Sequence, residues 1–319
     1  MSDRRDFRPA PPPPVRWPGG ARVAVSLVLN VEEGAELSIA DGDERNETIY
    51  EAVDDVGPVP DPCMESHFGY GPRAGWPRIA ALLAAHGARV TVSACGRAAE
   101  RSPWLIAEAA AAGHEIACHG WRWENHAGMD EAGERAVIAR THAAIADAAG
   151  VAPRGWHTRS ASTPATRRLL VEHGGFAWDS DAYDDDMPRL ERVAGHDHVV
   201  LPYAFDTNDM RFGPGGRFVH GEDFSRYCLA AYDWLAVEGA AAPRMLSIGL
   251  HLRVIGRPAR MHGLARVLEG LAARGTAWIA TRSEIAAHWR AGLGLPAWSA
   301  RLPGAPAPAP AHDSIDGKR

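Results

Sequence analysis

The sequence predicts an α/β fold: a distorted (β/α)7 barrel in a single domain. Short apolar runs rich in β-branched residues alternate with helical patterns from the first strand to the last helix. Because such alternation joins parallel strands by crossover helices, we expect a mostly parallel sheet. The chain has 319 residues, which is long for an ordinary domain but usual for one barrel of this kind.

Short apolar runs predict the strands, because each is bounded by glycine or polar positions. The first run, ARVAVSLVLNV, is rich in valine and is typical of a buried strand. In chain order the predicted strands occupy residues 21–31, 88–96, 115–120, 176–181, 198–203, 244–251 and 276–281.

Helical patterns occupy the segments between these strands, and several end at a glycine. One helix should begin with Ser102 as N-cap and Pro103 in its first turn, and end before Gly113. A longer helix should begin at Asp130 and end at Gly150. In chain order the predicted helices occupy residues 76–87, 102–114, 130–150, 163–175, 221–239, 259–275 and 282–293.

Composition divides the chain into a core and two tails. Residues 1–20 are rich in proline and arginine and are expected to form an N-terminal tail. Residues 21–295 form the predicted barrel, and residues 296–319 are a tail rich in proline and alanine. The barrel shows no linker or internal repeat, so a single domain is expected.

Charge and cysteine content exclude several classes of function. The formal net charge is −6, so nothing attracts nucleic acid or an acidic membrane surface. The N-terminus has no apolar run typical of a signal peptide, and no stretch approaches the length of a membrane span. The four cysteines are too few and too scattered for a disulfide framework. We therefore expect a soluble, cytoplasmic protein that binds neither nucleic acid nor a membrane.

Titratable side chains follow the ends of four predicted strands. They are Glu32 and Glu33, His119, Asp179, and His251. Because the carboxyl ends of parallel strands form the active-site face of a barrel, these side chains should converge on one catalytic rim.

The order of these motifs resembles that of the polysaccharide deacetylase (NodB-type) superfamily. The resemblance extends from about residue 17 to residue 289 and is closest to the cofactor-free allantoinases of purine catabolism. The matching strings include VLNVEEGAE, MESHFGYGPRAGW, CHGWRW, WDSDAYDDDMP, LPYAFDTNDMRF and MLSIGLHLRVIGRPARM. The resemblance implies hydrolysis of a C–N bond in a small cyclic ureide or imide. It also implies a homo-oligomer, specifically a tetramer.

The same resemblance raises the question of a metal ion. Metal-dependent members have a His-x-x-x-His motif, but here Trp123 stands four residues after His119, and an indole nitrogen only donates hydrogen bonds. No cofactor is therefore expected. The alternative is zinc bound by Glu33 and His119, with His157 or His126 as a further ligand. His126 lies seven residues after His119 and is expected to be a surface residue.

Hydrolysis of a cyclic amide requires a base, an acid and a stabilised oxyanion. Glu32 occupies the catalytic-base position of the superfamily, and burial beside Glu33 should raise the pKa of at least one of the two carboxyl groups. Glu33 is expected to orient His119 or to bind a ring N–H. His251 is expected to be the acid, and Asp179 to hold one of the histidines in its protonated tautomer.

Further polar residues are expected to contact the substrate. Trp123 and His157 should line the pocket, and Arg159 should bind the carbonyl oxygen. The glycine-rich stretch MESHFGYGPRAGW is predicted to be a loop that closes the pocket or meets a neighbouring subunit. Its candidate binding residues are Glu65, Tyr70 and Arg73.

Two other functions compete with this interpretation. One is a metal-dependent deacetylase of an N-acetylated sugar, and the other is a non-catalytic barrel that binds a purine derivative. Trp123 argues against the first function, and the retained Glu32, His119 and His251 argue against the second.

Overall fold

The computed structural model describes residues 11–48, 55–159, 161–213 and 216–301. Its strands form one sheet, which curls into a half-barrel. The strands are β1 (Val23–Val31), β2 (Thr91–Ala94), β3 (Glu115–Cys118), β4 (Gly155–Trp156), β5 (Trp178–Asp179), β6 (Arg189–Val193), β7 (His196–Val200), β8 (Arg244–His251) and β9 (Ala277–Ile279). The predicted α/β fold is confirmed.

The strand order is β6-β7-β5-β4-β3-β2-β1-β8, and β9 pairs with the first half of β1. Each of these pairs is parallel except the β6–β7 hairpin. Every residue of β1 is buried, and both of its edges are paired: β8 lies along one edge, and β9 and β2 share the other. The register places Asn30 opposite His251, so both strands end at the same height.

Helices cover the outside of the curled sheet, as in other α/β folds. They are α1 (Pro62–Tyr70), α2 (Trp76–Ala85), α3 (Gly96–Arg101), α4 (Pro103–Ala111), α5 (Glu131–Ala149), α6 (Thr166–His173), α7 (Gly221–Glu238), α8 (Leu252–Ile255), α9 (Pro258–Arg274) and α10 (Arg282–Gly292).

The predicted helix ends are confirmed in part. The Asp130 carboxylate accepts a hydrogen bond from the Gly133 amide, and Gly150 ends α5 in the left-handed conformation. The predicted cap of α4 is wrong in one respect, since the Ser102 side chain accepts no capping hydrogen bond. Pro103 does occupy the first turn of α4.

Several elements differ from the expected pattern, and β4, α3 and α8 were not predicted. The glycine-rich stretch predicted as a loop is instead α1 followed by a π-helical turn, Gly71–Gly75. Close packing explains this, because a Cβ atom on Gly75 would lie 2.3 Å from the Leu252 carbonyl oxygen. The β6–β7 hairpin was not predicted, since β6 is half-buried and charged.

The two ends of the described chain pack on the barrel. Trp17, within the predicted N-terminal tail, is buried, and its indole donates to the Arg244 carbonyl at 2.8 Å. At the other end, the Arg301 amide donates to the Gly174 carbonyl at 2.9 Å. Among the described residues, none of the helices is both long and apolar enough to span a bilayer.

Candidate active site

Three of the predicted strand-end side chains meet at the carboxyl end of the sheet. The Glu32 Oε1 atom lies 3.3 Å from His119 Nε2 and 3.9 Å from His251 Nε2. All three side chains are buried. The pairing of β1 with β8, and of β1 with β3 through β2, produces this convergence.

A buried arginine that sequence reasoning missed lies beside this group. Arg253, in the short helix α8, has a fully buried side chain. Its guanidinium contacts Glu32 Oε2 at 2.9 Å through one nitrogen and Glu33 Oε1 at 3.2 Å through the other. One cation therefore joins both carboxylates of the adjacent pair.

The two carboxyl groups have opposite pKa shifts. Burial tends to raise the pKa of Glu32, but Arg253, His251 and His119 outweigh burial and lower it well below the usual range. For Glu33, burial outweighs Arg253, and the pKa is raised. The raised pKa expected for one of the pair thus belongs to Glu33 and not to the predicted base.

Glu33 does not orient His119, contrary to the expectation. Its carboxylate accepts hydrogen bonds from the backbone amides of Glu32 and Arg253, both at 3.1 Å. A Cβ atom on Gly71 would lie 2.7 Å from the Glu33 carboxyl group, so a larger residue there would have to displace the Glu33 side chain. Glu33 therefore anchors Arg253 and the strand end.

His119 presents its second ring nitrogen to Glu32. Its Nδ1 atom lies 2.7 Å from the His157 carbonyl oxygen, which can only accept, so Nδ1 carries a proton. In the neutral ring, Nε2 is then an acceptor that faces a second acceptor, Glu32 Oε1. Two acceptors lie this close only when they share a proton or accept hydrogen bonds from one donor, so His119 Nε2 and Glu32 Oε1 need such a group between them.

His251 is oriented by Asp209, a second residue that sequence reasoning missed. The Asp209 Oδ1 atom lies 2.7 Å from His251 Nδ1, and Oδ2 accepts from the backbone amides of His251 and Ile255. Burial disfavours the charged ring, but the carboxylates of Asp209 and Glu32 outweigh it and raise the pKa of His251. An imidazolium held in this way is a suitable proton donor.

Asp179 does not contact the catalytic histidines, which corrects its predicted role. This buried carboxylate accepts two hydrogen bonds from Arg167, at 2.7 and 3.0 Å, and lies 2.9 Å from His198 Nε2. It joins β5 to α6 and β7 away from Glu32. The function assigned to it belongs to Asp209.

Asp181 supports the site indirectly. Its carboxylate accepts hydrogen bonds from the Thr158 amide at 2.8 Å and from the Thr158 hydroxyl at 2.6 Å. Thr158 lies between His157 and Arg159, so this bond fixes the segment that carries both. Burial and the nearby Asp179 carboxylate raise the pKa of Asp181.

An aromatic and cationic wall closes one side of the group. The Arg159 guanidinium stacks 3.6 Å from the centre of the Trp123 ring, and Arg159 Nε lies 4.0 Å from Glu32 Oε1. The Trp123 ring also packs edge-on against Phe68 at 5.3 Å. Its indole nitrogen is buried and has no hydrogen-bond partner among the residues that the structure describes. A donor in this position can serve a substrate carbonyl.

His157 lies on the opposite side of His119. Its Nε2 atom is 3.1 Å from the Tyr183 hydroxyl, and its ring lies 4.3 Å from that of Tyr203. Burial, and secondarily the neighbouring His119, lower the pKa of His157 well below the usual range. The ring is therefore neutral, and it packs against the ring of Tyr203.

Glu65, Tyr70 and Arg73 are not part of this group. Glu65 accepts a hydrogen bond from the Ser38 hydroxyl, Tyr70 stacks under Arg257 at 3.5 Å, and Arg73 is exposed. The same stretch contributes Phe68 and Gly71 to the site instead, and neither was predicted. A contact of its exposed residues with a neighbouring subunit stays a prediction.

Comparison with known proteins identifies the family. A family model for polysaccharide deacetylase matches residues 57–177. A Schizosaccharomyces pombe protein, provisionally named a polysaccharide deacetylase, is 35% identical to this chain over 299 residues. The match covers 86% of this chain and 92% of that protein. The chain belongs to the polysaccharide deacetylase family.

Solved structures agree with this membership. The crystal structure of a Pseudomonas aeruginosa PAO1 protein, also provisionally named a polysaccharide deacetylase, is 44% identical with a TM-score of 0.84. That of PuuE allantoinase is 44% identical with a TM-score of 0.85. In both comparisons the alignment covers 91% of this chain and 97% of the other.

The donor set of this deacetylase-family site does not fit a divalent ion. Trp123 supplies no lone pair where a second histidine would be required, and Arg253 already contacts both carboxylates. In the part of the chain that the structure describes, no cluster of three His, Cys, Asp or Glu side chains is suited to hold a metal.

The two histidines considered as further zinc ligands have other partners. His157 contacts Tyr183, as described above. His126 is buried, which corrects the surface position expected for it, and its Nδ1 atom lies 3.1 Å from a Glu134 carboxylate oxygen. Glu134 also accepts from the Thr163 and Thr166 hydroxyls, so this group is a structural network behind the site.

Proposed function

We propose that this protein hydrolyses a C–N bond in a small cyclic ureide or imide, as an allantoinase does, without a metal ion. One observation carries the proposal: an ionised Glu32 contacts the fixed cation Arg253 and lies within 4 Å of His119 and of the His251 that Asp209 orients. The similarity to PuuE allantoinase supports the choice of substrate class.

The base is the pair formed by Glu32 and His119. With its low pKa, Glu32 alone is a weak base, although it is ionised throughout the neutral range. A water molecule that donates one hydrogen to Glu32 Oε1 and the other to His119 Nε2 would satisfy both acceptors. When that water attacks the ring carbonyl carbon, its proton passes to the pair, and the adjacent carboxylate stabilises the resulting imidazolium.

The acid is His251. As the tetrahedral intermediate collapses, the ring C–N bond breaks and the His251 Nε2 proton passes to the departing nitrogen. Asp209 keeps the Nδ1 proton in place, so that Nε2 is the donating atom. The carboxylates of Asp209 and Glu32 outweigh burial and raise the pKa of His251, which favours the protonated ring that this step requires.

The oxyanion is stabilised by donors on the aromatic wall. Arg159 is half-buried and stacks on Trp123, and the indole nitrogen of that ring, which has no partner in the described part of the chain, is a second donor. In a site from which water is excluded, such fixed donors lower the activation barrier of the hydrolysis more than they would in water. A cytoplasmic location, a tetramer and a place in purine catabolism accompany this proposal as further predictions.

A substrate panel tests the proposal. The purified protein should release ring-opened product from allantoin, hydantoin or glutarimide, and Glu32→Gln should abolish that release. Acetate release from N-acetylglucosamine oligomers would instead indicate the metal-dependent deacetylase. Tight binding of a purine derivative with no turnover would indicate the non-catalytic barrel.

A further inference from the structure

We infer that Arg253 is a resident cation that replaces the divalent ion used by metal-dependent members of the family. Its guanidinium keeps Glu32 ionised and aims one oxygen of Glu32 at the two histidines. This inference depends on the proposed function only for its activity measurement. Its stability and metal-binding measurements do not depend on the substrate.

The first argument is electrostatic. Two consecutive carboxylates are buried at the end of β1, and burial of an uncompensated charge is strongly unfavourable. The planar guanidinium reaches both, through NH2 to Glu32 Oε2 at 2.9 Å and through NH1 to Glu33 Oε1 at 3.2 Å. A lysine ammonium is a compact charge and lacks this fork.

The second argument is position. Arg253 Cζ lies 5.0 Å from the centre of the Trp123 ring, and the bridged Glu32 lies 3.3 Å from His119. The cation is therefore surrounded by the side chains at the positions where the resemblance implies the catalytic base and the metal ligands. It has the charge sign of a metal ion but offers no open coordination position.

The third argument is the chemistry of the surrounding rings. Arg253 lies 4.9 Å from the centre of the Phe68 ring in addition to its contact with Trp123. Aromatic faces stabilise a guanidinium, whereas a histidine lone pair favours a metal ion. A tryptophan in place of a histidine ligand is thus consistent with an arginine in place of the ion.

The fourth argument is rigidity. The Arg253 backbone amide also donates to Glu33 Oε1 at 3.1 Å, so both the side chain and the main chain of Arg253 are bound to Glu33. Glu33 is packed against Gly71, where a Cβ atom would displace the Glu33 side chain. A shift of the cation would therefore break its contacts with the residue that follows the end of β1.

The test compares variants of the full chain at Arg253. Arg253→Met removes the charge and keeps much of the apolar volume, and Arg253→Lys keeps a charge without the fork. Arg253→Met should lower the melting temperature by at least about 5 °C, because two buried carboxylates lose their partner. The double variant Glu32→Gln/Arg253→Met should recover at least half of that loss. Arg257→Met is the matched control, since Arg257 stacks on Tyr70 outside the site.

Two further measurements complete the test. One equivalent of Zn²⁺ should leave the melting temperatures of wild type, Arg253→Met, Arg253→Lys and Arg257→Met unchanged, because Trp123 supplies no lone pair whether or not Arg253 is present. Activity should fall at least ~100-fold in Arg253→Met, a loss on the scale of general acid–base catalysis, and should be close to wild type in Arg257→Met. If wild type hydrolyses no cyclic amide, the proposed function fails, while the stability and zinc results still decide the role of Arg253.

Several results would overturn the inference. They are a wild-type melting temperature and activity in Arg253→Met, losses of stability in the double variant that simply add, and stabilisation of wild type by one equivalent of zinc. If Arg253→Met does not fold, a folded double variant supports the inference, and an unfolded double variant overturns it.

Discussion

Replacement of Asp209 by asparagine should disable the proton donor while leaving the site intact in shape. Asp209 Oδ2 accepts two backbone amides, at 2.7 and 3.1 Å, and Oδ1 faces His251 Nδ1 at 2.7 Å. An asparagine has one oxygen for these three donors. Because two amides compete with one ring nitrogen, the oxygen should face the amides and the side-chain NH2 should face Nδ1.

That arrangement forces the wrong tautomer on His251. With Nδ1 accepting from the new amide, the ring becomes neutral and carries its proton on Nε2, where a neutral imidazole is a very weak acid. The pKa of His251 should fall, because burial remains and the Asp209 charge is gone. We expect kcat to fall about 100- to 10,000-fold, or roughly 3–5 kcal/mol in activation free energy.

The assay is the pH dependence of ring opening in Asp209→Asn and in a matched control. In wild type, the raised pKa of His251 keeps the acid protonated, so activity should be lost only as the pH rises through that raised value. In Asp209→Asn the alkaline limb should move to lower pH. Asp206→Asn, three residues away and exposed, should match wild type. A kcat for Asp209→Asn within fivefold of wild type would refute the assignment of His251 as the acid.

Three other changes separate catalysis from structure. Glu32→Gln should abolish ring opening, and retention of most of the turnover would remove Glu32 from the base pair. Asp179→Asn should cost about 3–5 kcal/mol in the free energy of unfolding, measured in urea, because a buried ion pair loses its anion. The folded fraction of that variant should keep its kcat, and a selective loss of kcat would return Asp179 to the catalytic group. Gly71→Val should lower both stability and activity by displacing Glu33, whereas an unaffected enzyme would show that this contact is dispensable.

The sequence predicted the sheet and the three converging strand ends because both follow from local patterns. Apolar periodicity locates strands, and parallel strands have to present their ends at one face. Glu32, His119 and His251 stand at such ends, and the structure brings each histidine within 4 Å of Glu32. The convergence needed no knowledge of side-chain packing.

Asp209 and Arg253 were missed because neither stands at the last residue of a predicted strand, and both reach the site through contacts with residues far away in the sequence. Asp209 lies 42 residues before His251, in a loop whose string DTND offers two aspartates, and only the fold selects the second. Arg253 follows β8 by two residues and resembles an ordinary surface arginine in sequence. The short helix α8 turns it back beneath Glu32. A search for charges close to each strand end, and not only at its last residue, would have found it.

The opposite pKa shifts of Glu32 and Glu33 were missed for the same reason, because they depend on contacts between residues far apart in the sequence. From sequence, two neighbouring carboxylates predict mutual repulsion and a raised pKa. At Glu32, Arg253, His251 and His119 together outweigh burial and lower the pKa, whereas at Glu33 burial outweighs Arg253 and the pKa is raised. Similarly, glycines predict a loop at residues 71–75, but close approach to Glu33 and Leu252 makes the same glycines part of a helical turn.

Turnover by metal-stripped protein tests the central claim most directly. The protein should be dialysed exhaustively against a chelator, its zinc content measured, and its kcat/KM determined for the best substrate of the panel. The account predicts an unchanged kcat/KM at a zinc content far below one ion per chain, because Glu32, His119, His251 and Arg253 supply the chemistry themselves. Loss of turnover after chelation, with recovery on addition of one equivalent of zinc, would contradict it.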